Sequence, residues 1–84
     1  MQETEVKRAV AAQILTKRKL ERGESTEAKL ADATRVAWDH CENLARQRNP
    51  SDSNLARAIH SEIYKELEVY KDDDLQRLAS ARRD

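Results

Sequence analysis

Only Gly23 and Pro50 in this chain are strong helix breakers. One glycine and one proline in 84 residues are too few for a fold of short strands and tight turns. The chain must therefore run as a few long helices, with punctuation near residues 23 and 50. The filling between the breakers agrees. Charged residues make up 38% and are mostly Glu, Arg and Lys, which are good helix formers in solvent.

The first segment spans about 4–22. Val6, Val10 and Ile14 recur every four residues, with Ala9 and Leu20 on the same stripe at ~100° per residue. Thr4 is placed as its N-cap, and Gly23 ends it through the left-handed conformation. Leu15 falls nearly opposite Val6, which suggests a helix wedged between two surfaces. The second segment, about 26–48, begins at Ser25 or Thr26 and carries Leu30, Ala33, Ala37, Cys41 and Leu44. Its 30/37/44 spacing is heptad-like but too short for a coiled coil. The third, about 50–70, has the strongest stripe: Leu55, Ile59, Ile63 and Leu67. Pro50 suits a first helical position, with Asn49 as N-cap and Asp52 reaching back to it. A fourth helix, about 73–82, carries Leu75, Leu78 and Ala79. One unbroken helix over 50–82 would put Asp74 on the apolar face, so a break near 71–73 is favoured.

The tetrapeptide Asn-Leu-Ala-Arg occurs at 43–46 and again at 54–57. The similarity stops there, so it is not a structural repeat. A reversal near Pro50 instead pairs positions whose numbers sum to about 99. Leu44 then meets Leu55, and Ala37 meets the region of Ile63. The expected fold is all-α: a small bundle of three to four antiparallel helices built on this helical hairpin, in one domain over 1–84. Twelve alanines against eight leucines make a thin core, so a homodimer that doubles it is the expected assembly.

Sixteen basic and sixteen acidic residues cancel, which gives no global pull toward nucleic acid or anionic membrane. No apolar run is long enough to cross a membrane. A single cysteine excludes an internal disulfide framework and fits a reducing, cytoplasmic location.

Catalytic signatures are missing: no Gly-rich phosphate loop, no Gly-x-Ser-x-Gly and no His-Glu-x-x-His. No cofactor and no catalytic residue is expected. The hairpin pairing brings His40 and Cys41 level with His60, beside Asp39. These types could hold a metal, but a lone Cys on an Ala-rich seam is usually a small buried hydrophobe. No metal is expected.

Two charged patches remain. Residues 49–74 carry seven acidic and three basic side chains, a net −4. Glu62, Glu66, Glu68, Asp72, Asp73 and Asp74 dominate it and suit docking on a basic protein surface. Trp38, Tyr64 and Tyr70 are the only aromatics and the candidate anchors. The expected function is a non-enzymatic protein–protein interaction module: a small binder, inhibitor or assembly factor that docks through a helix face. The alternative is a nucleic-acid-associated regulator using Lys17, Arg18, Lys19 and Arg22 at the basic end of the first helix. No aromatic interleaves with those cations to stack on bases, so they would grip backbone phosphates.

Overall fold

The computed structural model describes residues 2–80 and contains four helices. They are α1 (Gln2–Glu21), α2 (Glu27–Arg48), α3 (Leu55–Leu67) and α4 (Asp72–Ser80). Thr4 lies inside α1, so it is not the cap. The far end of α1 follows the glycine rule. Gly23 takes φ +77°, its N–H donates to the Leu20 carbonyl at 3.0 Å, and the Glu24 N–H donates to the Lys19 carbonyl at 2.7 Å. This paired closure satisfies carbonyls that the helix leaves orphaned. Thr26 then caps α2: its hydroxyl accepts from the Lys29 N–H at 3.2 Å.

The reversal falls at Pro50, but the third helix does not start there. Asn49 ends α2, with its N–H donating to the Ala45 carbonyl at 2.8 Å, and α3 begins only at Leu55. Short polar side chains hold the intervening backbone in turns. Asn49 Oδ1 accepts from the Ser51 N–H at 3.2 Å, and Asp52 Oδ1 accepts from the Asn54 N–H at 2.9 Å. Such local bonds compete with helix formation, so Asp52 serves a turn instead of the expected cap. α3 also stops at Leu67, three residues short of Tyr70, and α4 starts at Asp72. The expected extension of α4 to residue 82 lies outside the described residues.

The hairpin pairing holds across the reversal. Trp38 of α2 stacks on His60 of α3 with ring centroids 4.3 Å apart, and Leu44 and Leu55 line one shallow depression. The centre of the core, however, is α1. It packs on α2, α3 and α4, and Val6, Ala9, Val10, Ala11, Ile14 and Leu15 are all buried. At ~100° per residue these six positions sweep roughly 240° of the helix circumference. Leu15, 7% exposed, fills the side opposite Val6. Ala37, Cys41, Leu44 and Ala45 come from α2, Ile59, Ile63 and Leu67 from α3, and Leu75 from α4. α1 can be enclosed this far because four of its six buried positions are alanine or valine, so neighbours approach closely. No described helix is long and apolar enough to cross a membrane.

Candidate interaction surface

The basic end of α1 is largely committed inside the fold. Arg18 Nη1 donates to the Tyr70 carbonyl at 2.8 Å and to Asp72 Oδ1 at 2.9 Å, while its Nη2 donates to the Glu68 carbonyl at 2.7 Å. Arg22 Nη1 takes the other Asp72 oxygen at 3.0 Å and pairs with Glu24 through Nε at 3.2 Å. One guanidinium thus closes the carbonyls at the end of α3 and the first residue of α4 together. The hydrogen bond from Arg18 is the main reason the Asp72 carboxyl is held below its ordinary value, with Arg22 adding to it. Lys17 stays exposed and Lys19 is half-buried. This cap is not legible in the sequence, because cations at a helix C-terminus are read as dipole compensation.

The acidic residues do not form one face. Glu62 lines the depression near Leu44, Arg48 and Leu55, at the reversal end of α3. Glu66 pairs with Lys7 of α1 at 3.5 Å, and Asp72 is held by the two arginines. Glu68, Asp73 and Asp74 are exposed where α3 meets α4, with Asp74 Oδ1 3.7 Å from Arg77 Nη1. Val69 stands in this corner at 80% exposure, by far the barest large apolar side chain among the described residues. Tyr70, the next residue in the chain, lines an open groove of about 360 Å³ together with Asp74, Arg77 and Leu78. In the helical count Val69 falls to one side of the stripe of Leu55, Ile59, Ile63 and Leu67.

The aromatics split in the same way. His60 joins Trp38 to Tyr64: it stacks on the indole and lies 5.7 Å from the phenol ring in a tilted arrangement. Its Nε2 is 2.9 Å from Gln13 Oε1 of α1. All three rings are half-buried, and burial pushes the His60 pKa down. Tyr70 belongs instead to the α3–α4 corner.

The cluster of metal-ligating types does not assemble. Cys41 is fully buried, and burial, aided by Glu42, pushes its thiol up to about 11. His40 faces a groove with Glu5, Arg8, Ala9, Ala12, Val36 and Ala79, while His60 faces Trp38. Among the described residues, no three of His, Cys, Asp and Glu gather in a way that could hold a metal ion.

No known protein family, curated protein or solved structure matches this chain.

Proposed function

We propose that the chain is a non-enzymatic protein-interaction module that docks a basic, apolar-tipped segment of another protein at the α3–α4 corner. The observation that carries this reading is Val69. A valine at 80% exposure, one residue before the Tyr70 that lines a groove with Leu78, is an anchor without a pocket of its own. Glu68, Asp73 and Asp74 surround it in the chain and supply charge that steers a cationic partner and fixes its orientation. The buried thiol of Cys41 fits a reducing compartment, and we place the protein in the cytoplasm. The nucleic-acid reading is weaker because Arg18 and Arg22 already have acceptors, which leaves Lys17 and Lys19 to bind phosphates.

The test compares two sets of substitutions. Affinity capture from the native host should recover a partner with the parent chain. Val69→Asp should lose it, and Asp73→Lys with Asp74→Lys should slow association. Lys17→Glu with Lys19→Glu should leave capture intact. The reading fails if the corner variants retain the partner in full. It fails also if the parent shifts generic duplex DNA with steep salt dependence and the lysine variant does not.

A further inference from the structure

The joint between α3 and α4 is Glu68-Val69-Tyr70-Lys71, with neither glycine nor proline. Among the described residues only Gly23 has positive φ, so no residue of this joint depends on a left-handed backbone. Glu68 is helical at φ −68°, ψ −14°. Its N–H still donates to the Tyr64 carbonyl at 2.9 Å, as in a continuing helix. One bond inside the joint, from the Tyr70 N–H to the Leu67 carbonyl at 3.0 Å, closes a turn, and the remaining ties come from outside. Arg18 takes the Glu68 and Tyr70 carbonyls, and Leu75, fully buried, ties α4 to the core around α1.

We infer that residues 68–71 are a helix-competent hinge and that the partner for its open form is a second copy of this chain. Opened, α3 and α4 run on as one rod, and α4 seats on α1 of the neighbouring copy while that copy's α4 returns the exchange. The occupant fits because the site it takes is the site it already fills, Leu75 included. Such an exchange is two-fold symmetric and needs no new interface to be invented. Straightening places Asp74 in line with Ile63 and Leu67, but beyond Leu67 the rod has left its own bundle, so that carboxylate stays in water. Two terms oppose the exchange. One is the Arg18 latch. The other is the effective concentration of a tethered α4, on the order of millimolar, which favours the closed monomer in dilute solution.

The experiment is light scattering across a concentration series, paired with an engineered cross-link. Val69→Ala raises helix propensity at the hinge without touching the core. Two hinges straighten per dimer, so the dimerisation constant should rise roughly fivefold. Arg18→Gln removes the latch and should raise it by roughly tenfold or more. Lys71→Pro bars the straight rod and should hold the chain monomeric in either background. Ala12→Cys with Ala79→Cys places thiols on α1 and α4 across one groove. In the Val69→Ala dimer, oxidation should link one chain to the other. A folded Val69→Ala chain that stays monomeric up to about 1 mM overturns the inference. A dimer whose new disulfides all lie within single chains overturns it equally. Val69→Ala decides the matter by itself if Arg18→Gln does not fold.

Discussion

Replacing Leu15 by alanine tests the central position of α1 more directly than any other change. Leu15 lies opposite the Val6, Val10 and Ile14 stripe, so a one-faced α1 would leave it in water. The fold instead buries it to 7% exposure. Removing a buried leucine side chain forfeits about 1.5–3 kcal/mol of transfer free energy. The cavity left behind brings the usual cost to ~2–5 kcal/mol. An exposed position would lose no more than about 0.5 kcal/mol. A chain of this length has a total stability of roughly 4–13 kcal/mol, so the buried case removes a large share of it. Thermal unfolding should then fall by ~8–40 °C, at about 4–8 °C per kcal/mol for a small domain. The assay is urea denaturation followed by circular dichroism, with Val36→Ala, at a 37%-exposed site, as the control. The midpoint should drop with an unchanged slope, which separates lost stability from a changed unfolded state. A loss below about 1 kcal/mol, or one equal to that of Val36→Ala, would refute the two-sided burial of α1 and the arrangement of the other helices around it.

Gly23→Ala meets no atom within 4 Å, so its cost comes from the positive φ alone, about 1 kcal/mol; Gly23→Asn should recover most of it in the same melts. Cys41 should resist a thiol reagent at pH 8 in the native protein and react fully in urea, because burial holds its pKa at about 11. His60 should titrate below its ordinary 6.5, since burial disfavours its charged form. Between the native value and 6.5 the unfolded chain binds more protons, so the His60 contribution to stability is complete above 6.5 and is lost as pH falls through the native value. Trp38 is the only tryptophan and is stacked on this ring, so its fluorescence should follow that titration and lose it in His60→Gln.

The helix number, the Gly23 stop and the reversal at Pro50 were legible because each rests on local chemistry or on spacing within one segment. The start of α3 was not. Pro50 favours a helix start, but Asn49 and Asp52 each bond to backbone two residues on, and together they carry the chain as turn to residue 54. The central role of α1 was only hinted at by Leu15. Ala9 and Ala11 carry so little hydrophobic signal that a helix enclosed on several sides looks like one with a single weak stripe. The charged surfaces were the least legible. Arg18 and Asp72 stand 54 positions apart, and nothing within either segment says that they meet. That contact consumes part of both patches at once, so the apparent charge segregation along the chain is partly cancelled in space.

The position of α1 also bears on how the chain is made. Synthesis delivers the central helix before the three helices that surround it, and α4 after the other two. Until then α1 has apolar side chains on nearly every side and no complete set of walls to rest against. Lone helices of this length are marginal in water, so it must wait, part-formed or sheltered, for the rest of the chain to arrive. A ribosome-stalled fragment ending before α4 should therefore remain prey to proteases along the very helix that the finished protein guards best.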